Sequence, residues 1–101
     1  MYFIYIIYSD SANLYYIGYT NDPQCRLIEH NTNPNNTFTS KHRPWEMKAL
    51  FECGMSESRT INIERFIKKQ KSRKLIELLC NPCFIPVGKL AELVRVPHVR
   101  D

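Results

Sequence analysis

The chain opens on a run of aromatic and β-branched residues, "YFIYIIYS" (2–9), that contains no proline or glycine. Such side chains favour strands, and apolar residues at both alternating positions predict a central strand covered on both of its faces. The turn-forming "DSAN" and a second strand-like run, "LYYIGYT" (14–20), follow directly. The two runs therefore predict a β-hairpin.

A helix is predicted directly after the hairpin. Asp22 is suited to the N-cap and Pro23 to the first helical position, and the helix is expected to end near His30 or Asn31. The polar, asparagine-rich "NTNPNNTFTSKHRP" then predicts a long loop, a feature that is often functional inside a compact domain.

The second half of the chain predicts one more strand and further helices. Apolar and polar residues alternate through "WEMKALFECG", as in a half-buried strand. The stretch 55–79 predicts two helices, or one that bends near Ser72, with Ser56 or Ser58 as the first cap. The segment "KLAELVRV" is expected to form a last short helix.

The order of these elements predicts an α+β domain in which a three-stranded antiparallel sheet is flanked by helices. A chain of 101 residues fits one domain with a modest core. We expect the domain to span residues 1–80 and residues 81–101 to form a C-terminal extension.

Positive charge is concentrated in one segment. The net charge is +4, and residues 65–74 contain six cations and no acid. Such a cluster indicates a polyanionic partner, with nucleic acid as the first candidate, although a solvated helix face has the same composition.

Membrane insertion and secretion are not indicated. No apolar run approaches 18 residues, and the start lacks the basic segment and cleavage site of a signal peptide. We expect a cytoplasmic protein whose four cysteines are reduced. The lone "CNPC" (80–83) has no second closely spaced pair, so thiols in or near the core explain it better than a zinc site.

Two tyrosines, an arginine and a histidine are the next candidates. Core or half-buried tyrosines and a solvated Arg26–His30 pair are the ordinary alternatives. Tyr5 and Tyr16 share a face of the sheet only if paired residue numbers have an odd sum, which needs an even-length hairpin loop. Arg26 and His30 are four residues apart and lie on one helix face. Arg26 has the planar fork of donors that suits phosphate, and His30 is able to move a proton near neutral pH.

One acid completes the candidate set. Glu64 lies about 60° around the helix axis from Ile67, at the border of the apolar stripe, where a carboxylate is able to lean toward the sheet. An exposed glutamate is the ordinary alternative.

These residues resemble the motifs of the GIY-YIG nuclease superfamily. The chain especially resembles the short stand-alone bacterial members, which are related to the N-terminal nuclease domain of the excision-repair incision subunit. "FIYIIYS" corresponds to the first motif, "YIG" is intact, and "KHRPW" resembles the loop before the third strand. The resemblance runs from Tyr2 to about Lys74. The matching residues, in chain order, are Tyr5, Tyr16, Gly18, Arg26, His30 and Glu64.

The sequence departs from the family pattern twice. Phe3 stands where the first motif has glycine, and a family asparagine after Glu64 has no clear counterpart. Because that glycine is a backbone feature rather than a reactive group, we expect activity to survive its replacement.

The resemblance implies hydrolysis of phosphodiester bonds with one divalent ion, Mg²⁺ or Mn²⁺, held by Glu64. Arg26 is expected to bind the non-bridging phosphate oxygens, and Tyr5 to accept a proton from the attacking water. Tyr16 is expected to orient the water or the phosphate. His30 is either an alternative base or a donor on the phosphate side.

The expected partner is DNA, with RNA as the open alternative, in repair or recombination. We expect Gly18 to let the substrate approach the backbone. The remaining expected contacts with nucleic acid are His42, Arg43, Lys68, Lys69, Lys71, Arg73 and Lys74. A monomer and a weak dimer both fit the sequence. Two other functions also fit: a module of the same fold that binds nucleic acid without cutting it, and a protein-interaction domain.

Overall fold

The computed structural model describes residues 1–35 and 37–97. It contains one antiparallel sheet with the strand order β2-β1-β3-β4, flanked by helices, so the predicted α+β class is confirmed. The elements, in chain order, are β1 (Tyr2–Ser9), β2 (Leu14–Thr20), α1 (Pro23–Thr32), a 3-10 turn (Thr39–His42), β3 (Glu46–Gly54), α2 (Glu57–Lys69), α3 (Arg73–Cys80), a second 3-10 turn (Gly88–Leu90) and β4 (Val94–Arg95).

The register of the first hairpin places both tyrosines on one face. Tyr5 pairs with Gly18 and Ile7 pairs with Tyr16, and the loop between the strands has four residues, 10–13. Because side chains alternate along a strand, Tyr5 and Tyr16 point to the same side of the sheet. The parity condition is therefore met.

Two layers of side chains cover the central strand β1. Its even-numbered residues Ile4 and Ile6 are buried in the larger core, formed mainly with α2, α3 and the C-terminal segment. Its odd-numbered residues Tyr5 and Ile7 are buried in a smaller cluster with Trp45 and Leu50. Leu27 of α1 packs against this second cluster, so Tyr5 faces the side of the sheet that α1 covers.

The helices begin where their capping residues predict. Asp22 and Pro23 start α1, which continues to Thr32, slightly beyond the predicted end. The side chain of Ser56 caps α2 and that of Ser72 caps α3, so the chain bends between two helices near Ser72 as predicted.

The prediction of three strands and a last helix was wrong. Residues 88–95 form a 3-10 turn and the short strand β4, which pairs with β3 through Phe51 and Arg95. Leu90 and Leu93 are buried in the larger core. The helical propensity of "KLAEL" is overridden because this conformation buries both leucines and pairs the open edge of β3. Residues 81–97 are thus packed into the domain.

Candidate active site

A chain of hydrogen bonds connects β1, α1 and the following loop. The Tyr5 hydroxyl lies 2.8 Å from Nε2 of His30, and Nδ1 of His30 lies 3.0 Å from Oγ1 of Thr39. Arg26 donates from Nε to the Tyr5 hydroxyl at 3.4 Å. Tyr5 is 2% exposed and His30 is 4% exposed. Three of the predicted catalytic residues are therefore in direct contact.

The protons in this chain are assigned by elimination. A buried hydroxyl proton needs an acceptor. Arg26 only donates, so within the described residues the acceptor for the Tyr5 proton is Nε2 of His30. Nδ1 of the neutral imidazole then carries the proton and donates to Thr39. The Tyr5 hydroxyl is thus a donor to His30 and an acceptor from Arg26.

Burial keeps both rings uncharged at neutral pH. Burial is the main cause that raises the pKa of Tyr5 to about 12, and the negative charge of Glu64 adds to the rise while Arg26 opposes it. Burial and the positive charge of Arg26 lower the pKa of His30 to about 4. At pH 7 the pair is therefore a phenol that donates to a neutral imidazole.

We expect His30 to make the fold sensitive to acid. A histidine whose pKa falls from 6.5 to about 4 on folding contributes stability that is present above pH 6.5 and lost as the pH falls toward 4. This shift predicts a loss of about 3 kcal/mol between pH 7 and pH 4. Urea unfolding of the wild type and of His30→Gln across this range measures it. Equal pH dependence in the two proteins would contradict the prediction.

Gly18 makes room for the tyrosine ring. A Cβ atom at Gly18 would lie 2.3 Å from the Tyr5 hydroxyl oxygen and 2.5 Å from the carbon that bears it. The ring of Tyr5, the cross-strand partner of Gly18, fills the space that a side chain would take. Gly18 therefore acts through Tyr5, because only glycine leaves room for the phenol beside β2. The expected approach of substrate to this glycine stays a prediction.

We expect Gly18→Ala to displace the Tyr5 ring, because the contact is far closer than van der Waals distance. The overpacking is expected to destabilise the fold by about 1–3 kcal/mol and to break the bond to His30. The control is the same substitution in a Tyr5→Leu background, where the clash is absent and the cost should nearly vanish. Thermal unfolding of the four proteins tests this. Equal costs in both backgrounds would contradict it.

Tyr16 lies in a cluster of aromatic rings. Its ring meets His30 edge-on at 5.2 Å between centroids and lies nearly parallel to Phe38 at 6.2 Å. Nζ of Lys68 lies 5.5 Å above the same ring. Sequence reasoning missed Phe38 and Thr39, although both belong to the long polar loop that was expected to be functional. An apolar Phe38 inside that loop was the available signal.

Glu64 faces inward on α2. Its side chain is 13% exposed, and Oε1 lies 2.8 Å from Nζ of Lys68 one turn later. Burial is the main cause that raises the pKa of Tyr5, and the negative charge of Glu64 is the smallest of the contributions to this rise. This position on the border of the apolar stripe is the one that the helix geometry indicated.

Glu64 fits a single hard cation. Within residues 1–35 and 37–97, no group of three or more histidine, cysteine, aspartate or glutamate side chains is placed to hold a metal. Mg²⁺ is often held by one or two carboxylates together with substrate phosphates and water, so one glutamate is a sufficient protein ligand. Two-metal sites need several convergent acids, which this surface does not offer in the part of the chain described.

A comparison with known protein families shows which family the chain belongs to. The family model described as the GIY-YIG catalytic domain matches residues 1–77. The chain belongs to the GIY-YIG family. The matched range contains all the candidate catalytic residues, and the family is one of endonucleases that generally depend on a divalent metal. No curated protein matches the chain.

Phe3, which stands where the first GIY-YIG motif has glycine, lies next to the site. Phe3 precedes Tyr5 by two residues on β1, is half-buried and packs against the cluster that contains Tyr5. Its ring therefore adds apolar surface on the face of the sheet that bears both tyrosines.

The two loop residues differ in their positions. Arg43 donates from Nε to the carbonyl oxygen of His30 at 2.7 Å and from a terminal nitrogen to the carbonyl of Asn33. Arg43 thus holds the end of α1, and its expected contact with nucleic acid stays a prediction. The ring of His42 packs against Phe38 at 5.0 Å between centroids and is half-buried.

The candidate nucleic-acid-binding cations differ in their position relative to one groove. Lys68, Lys71 and Arg73 line one groove beside β2. Lys69 and Lys74 are exposed and do not line it. Arg73 also contacts the first hairpin, since it donates to the backbone and side-chain oxygens of Asn13.

A membrane-spanning helix is not found among residues 1–35 and 37–97, because no helix there combines the necessary length with sufficient apolar character.

Proposed function

We propose that this GIY-YIG domain is a metal-dependent endonuclease that hydrolyses phosphodiester bonds in DNA. The observation that supports it is the hydrogen-bonded set of Tyr5, His30 and Arg26. Tyr16 lies beside this set, and Lys68, which pairs with Glu64, lies over the Tyr16 ring. A phosphate-binding guanidinium in contact with a pair of proton-carrying groups has the composition that phosphoryl hydrolysis needs.

Arg26 is the proposed phosphate ligand. Nη1 of Arg26 donates to Oε2 of Glu29 at 3.1 Å, while Nε donates to the Tyr5 hydroxyl. Because Tyr5 itself is almost fully covered, we expect the guanidinium to move toward the incoming phosphate and thereby expose the Tyr5 hydroxyl. In that position it stabilises the additional negative charge of the transition state.

Tyr5 and His30 are the proposed proton relay. With a pKa of about 12, only about 1 in 10⁵ of the Tyr5 side chains is phenolate at pH 7, so free phenolate is a scarce base. The hydroxyl is instead able to take the proton of the attacking water while it gives its own to Nε2 of His30. The negative charge of a bound phosphate favours this transfer, since it stabilises the imidazolium.

Glu64 is the proposed ligand of one Mg²⁺ or Mn²⁺ ion. When bound, such an ion neutralises charge on the scissile phosphate and the leaving oxygen. Nζ of Lys68 now pairs with this carboxylate at 2.8 Å. We expect the ammonium group to transfer to substrate phosphate when the cation takes its place. Tyr16, which lies between Lys68 and His30, is left to orient the phosphate or water.

The proposed function is tested with supercoiled plasmid. We expect the wild type to convert it to nicked circles in Mg²⁺ or Mn²⁺ and to leave it intact in excess chelator. A structured RNA treated in parallel decides between the two nucleic acids. Intact plasmid with every divalent ion tried would contradict the proposal.

A binding module of the same fold is the second candidate. The observation that favours it is Phe3, which replaces the motif glycine and packs beside Tyr5. It predicts salt-sensitive binding of DNA without cleavage under any metal condition. A role in DNA repair or recombination, and a cytoplasmic location, stay predictions from the resemblance and the sequence.

A further inference from the structure

A groove with a volume of about 430 Å³ runs along the outer edge of β2. Four consecutive residues of this edge strand, 14–17, contribute to its lining. Because consecutive side chains of a strand point to opposite faces, the groove crosses the free edge of the sheet. Its opposite wall contains Ile67 of α2 and Ile76 of α3.

The lining combines flat aromatic rings with positive charge. Tyr15, Tyr16 and Phe38 contribute the rings, and the cations stand at the junction of α2 and α3. Phe38 is 50% exposed although it is large and apolar. An exposed ring beside cations is the usual platform on which proteins stack the bases of single-stranded nucleic acid.

The groove is continuous with the candidate active site. A second cavity, of about 180 Å³, is lined by Arg26 and His30 and shares Tyr16 and Phe38 with the groove. A ligand that lies across these two rings therefore reaches the proposed phosphate ligand on one side and the groove on the other.

Lys71 is held in an unfavourable backbone conformation at the groove. It follows the end of α2 with φ +48°, in the left-handed region where glycine is the preferred residue. Lysine at this position costs stability, and non-glycine residues kept in this region often mark functional sites. Its side chain lines the groove and has no ion-pair partner in the part of the chain that the structure describes.

We propose that this groove binds an unpaired nucleotide of the substrate. Its base stacks on Phe38 and Tyr16, and its phosphate pairs with Lys71. The inference rests on the proposed function, because it takes the substrate to be nucleic acid, and it specifies that the substrate has unpaired nucleotides beside the bond that is cut. A nucleotide matches the lining because it joins a flat apolar surface to an anion.

The test measures binding without metal, so that no cleavage occurs. Three DNA duplexes are compared by fluorescence anisotropy: one with a short oligothymidine flap, one with a flap of equal length built from abasic nucleotides, and one without a flap. The abasic flap keeps the phosphates and removes the bases. We expect the wild type to bind the thymidine flap about tenfold more tightly than the abasic flap, as one stacked base contributes.

Single substitutions distinguish the contribution of the base to binding from that of the phosphate. Phe38→Ala is expected to reduce the preference for thymidine to less than about twofold. Ile85→Ala, at a 79% exposed position in the C-terminal segment, is the matched control and should keep the preference. Lys71→Gly should weaken binding of both flaps equally while it raises the melting temperature. If Phe38→Ala fails to fold, Phe38→Leu keeps the apolar volume without the flat ring.

Equal binding of the thymidine and abasic flaps by the wild type would overturn the proposal. An undiminished preference in Phe38→Ala or Phe38→Leu would overturn it as well. Because the assay contains no metal, these outcomes are independent of the nicking assay. A protein that prefers the thymidine flap but never cuts DNA keeps the nucleotide site and loses the nuclease proposal.

Discussion

Replacement of Arg26 by alanine is expected to lower the single-turnover rate of DNA cleavage by about a thousandfold. A guanidinium that meets the charge of a phosphoryl transition state contributes on this scale. The fold should lose only about 1 kcal/mol, since the pair with Glu29 is exposed and the second bond, from Nε to the Tyr5 hydroxyl, is long at 3.4 Å. Quenched-flow cleavage at saturating protein, together with thermal unfolding, measures the two effects.

Two further variants test whether the loss of rate is specific to the guanidinium group of Arg26. Arg26→Lys keeps the charge but not the planar fork, so we expect it to recover only a small part of the rate. Glu29→Gln removes the partner of the guanidinium and should stay within severalfold of the wild type. Equal cleavage by the wild type and Arg26→Ala would contradict the role of this residue.

Tyr5→Phe is expected to lower the cleavage rate by about 10²–10⁴-fold, the usual contribution of a positioned proton acceptor. The ring still fills the space over Gly18, so the packing is retained. Nε2 of His30 loses its partner, which costs about 1–3 kcal/mol of stability. Single-turnover rates at a temperature where the variant is fully folded give the catalytic effect alone. A rate within severalfold of the wild type would remove Tyr5 from the chemistry.

The pH profile separates the relay from a simple phenolate. If phenolate with a pKa of about 12 were the base, the rate would rise tenfold for each pH unit between 6 and 9. His30, with a pKa of about 4, is neutral throughout this range and able to accept the proton. We therefore expect a flat profile for the wild type and a slower, rising profile for His30→Gln. A rising wild-type profile would contradict the relay.

The positions of the candidate catalytic side chains follow in large part from local rules. The parity of the hairpin loop decides whether Tyr5 and Tyr16 share a face, and helix spacing puts Arg26 and His30 at one cavity. Both rules need only neighbours along the chain. The bond between Tyr5 and His30 was not predictable in the same way, because it joins residues 25 positions apart.

The features that the sequence did not reveal depend on long-range packing. Gly18 makes room for the ring of a cross-strand neighbour, a role that the sequence did not indicate. Arg43 satisfies carbonyls at the end of α1, which the sequence did not indicate either. The last strand forms where local propensity favours a helix, because burial of Leu90 and Leu93 outweighs that propensity.

The central claim is that one metal ion on Glu64 and the cluster around Tyr5 form a single hydrolytic site. Titration of Mg²⁺ into plasmid nicking by the wild type and by Glu64→Gln tests it most directly, with matching melting temperatures as the control for folding. We predict that wild-type nicking saturates with a Hill coefficient of about one, as for one ion, and that the variant shows no nicking above background. Undiminished nicking by Glu64→Gln, or wild-type nicking in excess chelator, would contradict the claim.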